Sequence, residues 1–368
     1  MTIGYILDDS LDRSDGVQQA VLAIGEQMSQ LGHEVHYIVA ETKRMDIPSV
    51  HVMSRYLQAS FNGNSVRTPR PVSRRKVREL FEQVSFDVLH VQMPYSPFMA
   101  GRVIAGAPKH VRIFGTFHIL PYNLLASAGT RVLGVVQRRQ MQRFARCFAV
   151  SAPALNFMEH AFHVQGEVLP NPVRWEFFHG RKPRTSAQAK IVFVGRFEER
   201  KGVLELLRSY ADLPQSLQDT TQLILCGAGP LHETAQRLSE RLNVAAELPG
   251  FVTEDEKADY LATATIAVFP SISGESFGIV LAEAMSAGAG ITLGGNNPGY
   301  ASVLGDWPDV LFDPKDLQAF CATLQRFLTD VALRTQIGAQ QHKTARNYDI
   351  RTVASRLEAA YKTADQTK

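Results

Sequence analysis

The sequence predicts an α/β protein made of two successive doubly wound domains, and three features carry that expectation. The chain opens as strand, helix, strand: residues 3–7 are apolar, a helical pattern runs over 17–31 and closes at Gly32, and VHYIVA follows. The pattern restarts near residue 190, where KIVFVGRFEERKGVLELLRSYADL reads as strand, glycine turn and helix. Between the halves, VLPNPVRWEFF sets two prolines within three residues, an extended segment suited to joining domains. The boundary falls near Asn171.

Composition agrees with that architecture. At 368 residues the chain is long enough to bury two cores. Hydrophobic residues make up 45% and charged residues 20%, as in globular proteins. No apolar run of about 18 residues free of charge occurs, so no membrane-spanning helix is expected. The opening MTIGYILDDS lacks a basic stretch before its apolar residues and reaches two aspartates at once. A signal peptide is therefore not expected, and a cytoplasmic location is. Cys147, Cys226 and Cys321 stand far apart without metal or redox spacing and read as core fillers in a reducing compartment. A net charge of +3 says nothing of nucleic acid by itself.

In chain order, the loop 8–16 lies at the carboxyl end of the first strand, where doubly wound sheets bind ligands. Gly16 in that loop either lets the backbone approach a phosphate at a helix start or is an ordinary turn glycine. The segment 62–80 holds the densest positive patch: Arg67, Arg70, Arg74, Arg75, Lys76 and Arg78 against Glu79 alone. Pro69 and Pro71 keep its first half out of a helix, while Ser73 is placed to cap a helix running to about Val84. The patch is either a solvated helix face or a contact for anionic lipid headgroups, each basic residue near such a surface adding about 1 kcal/mol. Without interleaved aromatics, nucleic acid is not expected. FDVLHVQMP reads as a buried strand, VRIFGTFHILPY as a strand and a loop carrying Thr116, His118 and Tyr122, and 137–146 as an arginine-rich helix before the strand CFAV.

In the second half, Gly195 turns the chain at a strand end, and Arg196 and Lys201 follow it. Two cations beside a glycine turn can neutralise a diphosphate, arginine as a planar fork and lysine as a point charge, or they are surface charges balanced by Glu198, Glu199 and Glu205. TQLILCGAGP begins a G-x-G with Gly227 and Gly229, yet His232 stands where a dinucleotide fingerprint needs its third glycine. A loop with Gly250, Phe251 and Val252 follows the next strand. Then IAVFPSISGESFGIVLAEAMSAGAG reads as strand, loop and helix, with Glu275 in the loop and Glu283 about two turns into the helix. That spacing sets the two acids roughly 10–12 Å apart, about the reach of a nucleotide sugar from hexose to ribose. The N–H groups at the helix start, Phe277, Gly278, Ile279 and Val280, form a site for an anion between them. Glu283 sits among apolar residues, and a buried carboxylate needs a partner. A helical pattern over 316–345, interrupted at Gly338, and a last helix near 350–362 complete the chain.

The words GESFGIVLAEAMSAG, GRF-x-x-RKG, GTFH and FDVLHVQMP resemble the retaining nucleotide-sugar glycosyltransferases of family GT4, and among them the phosphatidylinositol α-mannosyltransferases. The resemblance implies the GT-B fold: two Rossmann-like domains, 1–171 for the acceptor and 172–347 for the donor, facing each other across a cleft, with 348–368 returning to the first. It implies hexose transfer, mannose favoured, from a nucleotide sugar, GDP-mannose favoured over UDP-sugars, without a required cation or other cofactor. It further implies that Glu275 holds hexose hydroxyls, Glu283 the ribose and His118 the donor sugar. Arg196 and Lys201 neutralise the leaving diphosphate, helped by Gly16, Gly195 and the 277–280 helix start. The counterparts of Gly250, Phe251 and Val252 form the pocket for the base, largely through backbone atoms, and Gly227 counts among the donor-binding residues. In the family the Gly16 loop usually carries two glycines, and Asp15 departs from that pattern.

No nucleophilic carboxylate stands out, and Asp8-Asp9 has no flanking ligands for a metal. The acceptor is open among phosphatidylinositol, diacylglycerol, a soluble sugar and an inositol phosphate. A lipid acceptor implies a peripheral protein on the inner face of the cell membrane. Two readings from other classes stand behind the transferase: a nucleotide-sugar-binding protein without turnover, and an NAD-dependent oxidoreductase, for which Glu41 after VHYIVA is the acid but the glycine fingerprint is incomplete. The sequence does not speak to oligomeric state.

Overall fold

The computed structural model describes residues 1–12, 16–44, 46–61, 64–94, 96, 98–118, 120, 137–181, 188–288 and 290–363, with main chain only over 57–68. Asp15 and Tyr122 lie outside the described residues, as does the side chain of Arg67. The chain forms two compact units, Met1–Pro172 with Ile350–Lys368, and Val173–Asp349.

Among the described residues the first unit has nine strands: β1 (Thr2–Leu7), β2 (Glu34–Val39), β3 (Val50–Val52), β4 (Tyr56–Phe61), β5 (Asn64–Pro69), β6 (Val88–Gln92), β7 (Arg112–Phe117), β8 (Phe144–Ala149) and β9 (Gly166–Val168). Seven of them form one parallel sheet in the order β3-β2-β1-β6-β7-β8-β9, while β4 and β5 pair as an antiparallel hairpin. All of β6 and nearly all of β1 are buried, as expected where helices cover both faces of a parallel sheet. The basic segment forms the helix Arg74–Gln83, its N-terminus capped by Ser73 through the Lys76 N–H. Helix Ile350–Thr363 completes the core of this unit, where Val353, Ala354 and Leu357 pack with Ile3, Tyr5, Met28 and Phe114. His90 on β6 ties that helix to the sheet: Nε2 lies 2.7 Å from Thr116 Oγ1 and Nδ1 meets the Tyr361 hydroxyl. Burial pushes the His90 pKa down to about 3, so its neutral ring serves as one donor and one acceptor.

The second unit has β10 (Ala189–Val194), β11 (Thr221–Cys226), β12 (Ala246–Gly250), β13 (Ile266–Phe269), β14 (Thr292–Gly295) and β15 (Leu311–Phe312), all parallel, in the order β12-β11-β10-β13-β14-β15.

Two helix expectations are corrected. The pattern over 316–345 breaks at Asp330 instead of Gly338, giving helices Leu317–Thr329 and Val331–Ala345. Asp330 caps the second through the Leu333 N–H at 2.9 Å, and Gly338 lies buried inside it. A side-chain cap ends one helix and starts another; a lone glycine, which costs about 1 kcal/mol against alanine, does not have to. The arginine-rich helix is only Arg138–Met141, because Phe144–Arg146 belongs to β8 and pairs with β7. Among the described residues no helix is long and apolar enough to cross a membrane.

Candidate active site

In the six-stranded sheet the chain order turns back between β10 and β13. Connections leaving neighbouring parallel strands toward opposite faces open a crevice at the strands' carboxyl ends. The glycine turn after β10 and the 270–278 loop after β13 both lie there. Glu275 is their meeting point: its Oε1 accepts from Lys201 Nζ at 2.6 Å, from Arg200 Nη1 at 2.9 Å and from Ser271 Oγ at 2.9 Å. Burial by itself would raise this carboxyl, yet Lys201, then Arg200 and Ser271, outweigh it and hold Glu275 below the usual carboxylate range. It is an anion at neutral pH. Arg196 is more open and pairs with Glu198 at 3.1 Å. Arg200 was not among the expected site residues; the one signal for it is its place beside Lys201 in the turn Glu199–Lys201.

The helix after this loop starts at Ile279, two residues later than its periodicity predicts. Gly278 takes φ 92°, which a helix interior excludes, and a Cβ there would lie 2.5 Å from the Tyr300 ring. Phe277 is buried against Tyr348, with ring centroids 5.3 Å apart. Gly278 offers no side chain to cap the helix, so the first-turn N–H groups of Ile279 and Val280 are presented without a side-chain acceptor from that position.

Glu283 is buried on the same helix, only 6% exposed, and its partner is Lys257 at 2.8 Å from Oε1. Lys257 also reaches Glu254 at 2.9 Å and lies 5.5 Å from the centre of the Phe178 ring. Burial pushes the Glu283 carboxyl up, with Lys257 pulling it back only in part. Lys257 was not foreseen either. A buried acid calls for a cation, but sequence does not show that the helix Glu254–Thr263 brings one against it.

Gly195, Gly227 and Gly250 stand side by side at the ends of β10, β11 and β12: Gly195 N–H donates to Cys226 O at 3.0 Å, and Gly227 N–H to Gly250 O at 2.7 Å. A Cβ on Gly227 would fall 1.8 Å from Gly195 O, so the strand ends form a bare backbone shelf. Beside it Phe251 projects, 71% exposed, with Val252 half-buried. The shelf, the two acids and the helix start all belong to one unit.

The remaining expected residues lie in the first unit. Gly16 opens the helix Gly16–Gln30. Asp8 accepts from Ala100 N–H at 2.7 Å and from Ser96 Oγ, so it caps the helix Met99–Gly106, and burial raises its carboxyl to about 6. Asp9 accepts from Gln18 at 2.9 Å. Both aspartates are thus engaged in structural hydrogen bonds, Asp8 to the segment 96–100 and Asp9 to Gln18. Among the described residues no three His, Cys, Asp or Glu side chains gather as for a metal. His118 directly follows β7, its Nε2 2.7 Å from Gln92 Oε1. Burial lowers it to about 4, and its buried Nδ1 meets no partner among the described residues. A neutral ring that donates from Nε2 keeps Nδ1 as an acceptor. Arg70, Arg74, Arg75, Lys76 and Arg78 are exposed, with one loose pair, Arg75 to Glu79 at 3.4 Å. Arg74, Val77, Arg78 and Phe81 line, with Glu82 and Arg102, a groove of about 580 Å³.

This arrangement has a known class. Residues 14–177 match the family described as Glycosyltransferase Family 4, and residues 176–344 match Glycosyl transferases group 1. The chain belongs to the GT4 glycosyltransferases: it is a hexosyltransferase of that family with the GT-B fold. Within it, the chain is similar to the phosphatidyl-myo-inositol mannosyltransferase of Mycobacterium tuberculosis, 31% identical over 379 positions that cover 99% of this chain and 97% of the relative. Of solved structures, sucrose-phosphate synthase from Thermosynechococcus elongatus superposes with TM-score 0.74 at 17% identity, over 98% of each chain. Anabaena HepE in complex with UDP and glucose gives TM-score 0.72 at 13% identity, over 99% of this chain and 100% of that one.

Proposed function

We propose that the protein transfers a mannosyl group from a nucleotide sugar, GDP-mannose, to phosphatidylinositol or a closely related lipid at the inner face of the cell membrane, with retention at the anomeric carbon. The observation that carries the donor site is the grouping, at one switch point, of Glu275, its two cations and a glycine-led helix start. The diphosphate of the donor binds Arg196, Lys201 and the N–H groups of Ile279 and Val280, all positive. Glu275 accepts from hexose hydroxyls, and Glu283 from the ribose. The base rests on the shelf of Gly195 and Gly227 beside Phe251 and Val252.

In the transfer the acceptor oxygen attacks the anomeric carbon on the face that the diphosphate leaves. The bond to phosphate breaks, its electron pair departs with the diphosphate, and a diphosphate oxygen takes the acceptor's proton. Arg196, Lys201 and the helix start stabilise the charge that develops on the leaving group. Cationic side chains serve there, so no metal ion is required and EDTA leaves the rate unchanged. The lipid acceptor draws support from the exposed arginines and the groove between helices Arg74–Gln83 and Met99–Gly106, and from the name of the mycobacterial relative.

The test is calorimetry and thermal shift with GDP-mannose, UDP-glucose, UDP-N-acetylglucosamine and NAD, with Glu283→Ala as control. GDP-mannose binds, and the variant loses at least about tenfold in affinity as the ribose hydrogen bonds go. Binding of NAD alone, or of no sugar nucleotide by folded protein, overturns the transferase donor site. Diacylglycerol and soluble inositol phosphate, offered as acceptors beside phosphatidylinositol vesicles, decide the acceptor.

A further inference from the structure

We infer that Arg200 is a positioning residue for the transfer: it fixes the loop that carries Glu275 and remains as countercharge to Glu275 when the donor's diphosphate draws Lys201 away. The inference rests on the donor site proposed above.

Arg200 grips the loop at two levels. Its carbonyl accepts from Ile272 N–H at 2.8 Å, so the start of the loop hangs on this main chain. Its guanidinium spans two acids, with Nε 3.2 Å from Glu198 Oε2 and Nη1 2.9 Å from Glu275 Oε1. Lys201 reaches the same Glu275 oxygen by a single contact from a flexible stem. The two cations are therefore not equivalent. An ammonium can swing to an arriving phosphate, whereas Arg200 must release two carboxylates to do so.

Charge counting gives the same division. Arg196, Arg200 and Lys201 pair with Glu198 and Glu275, three cations on two acids, so among these five paired groups one positive charge is left over. Diphosphate binding takes up that excess by recruiting the cation that is cheapest to move. Glu275 would then keep Arg200 alone as countercharge, with Ser271 Oγ as donor and Tyr300 facing it from the helix Pro298–Leu304. Tyr300 is fully buried, and burial holds its hydroxyl in the neutral form. Arg200 is thus the group that keeps Glu275 ionised, as an acceptor for hexose hydroxyls, while the donor is bound.

The experiment is the pH profile of kcat and of the donor KM for wild type, Arg200→Met and Arg200→Lys, with GDP-mannose and phosphatidylinositol vesicles. Arg200→Met moves the acid limb of kcat upward by about one pH unit. It lowers kcat by about tenfold with a smaller change in donor KM, since Arg196, Lys201 and the helix start still hold the diphosphate. Arg200→Lys, which keeps the charge, returns the limb toward wild type. The carbonyl contact to Ile272 survives both substitutions, so both variants melt cooperatively. A wild type that turns over while Arg200→Met keeps the wild-type acid limb overturns the role of Arg200 and leaves the donor site standing. A folded wild type that neither binds nor transfers from the nucleotide sugar overturns both.

Discussion

Glu283 and Lys257 show how one side chain's environment decides its chemistry. Glu283 is buried and Lys257 half-buried, and each is satisfied chiefly by the other. Removing the cation in Lys257→Met leaves a carboxylate without its countercharge, at a cost of about 3 kcal/mol at neutral pH. Protonation relieves that cost. Because burial already raises the Glu283 pKa above its unfolded value, the fold gains stability relative to the unfolded chain as pH falls through the folded pKa. Urea denaturation of the variant at pH 7 and pH 5 should show the deficit shrinking at the lower pH. Glu275 has the opposite sign: its pKa is held below the usual range, so its contribution is full above the unfolded carboxylate pKa and fades only in stronger acid. Two acids on neighbouring segments thus respond to pH in opposite directions.

At the scale of elements, the loop 270–278 and the helix it enters act as one piece. Gly278→Ala forces an L side chain into φ 92° and against Tyr300, a strain of order 1–3 kcal/mol. Since this shifts the helix start, the variant should lose more in donor affinity than a matched loss of stability explains, as calorimetry beside thermal melting will show. The helix Arg74–Gln83 should behave in the reverse way. Its basic side chains are exposed, while Val77 and Leu80 hold it to the unit. Changing Arg74, Arg75, Lys76 and Arg78 together to glutamate should leave the melting temperature within a few degrees, as surface substitutions do. Cosedimentation with anionic vesicles at low salt should fall by more than about tenfold. Unchanged vesicle binding would return this helix to a solvated face.

At the scale of the molecule, the last helix belongs to the core of the first unit although its sequence follows the second. Leu357→Ala should cost about 2–5 kcal/mol, all of it in the first unit. Both tryptophans, Trp175 and Trp307, lie in the second unit. Their fluorescence transition in urea should therefore move less than the transition in circular dichroism, which follows both units. Much of this architecture was legible in the chain. Apolar runs ended by glycine or proline gave the strands, Ser73 gave a helix start, and the two acids could be placed on a loop and on a helix from spacing alone. The misreadings were local: a helix broken at Asp330 by a cap that competes with Gly338, and an arginine-rich segment whose second half is strand because β7 pairs with it. Periodicity is a property of neighbours along the chain, so it was enough to read most strands and helices and the side chains that bring charge. Strand order is set by which apolar faces pack in three dimensions. Only the tertiary structure could place the β10 and β13 loops at one switch point, set Arg200 on Glu275, and bring Lys257 to Glu283. Those contacts join residues far apart in sequence, and they form because a buried carboxylate is stable only where folding delivers a cation to it.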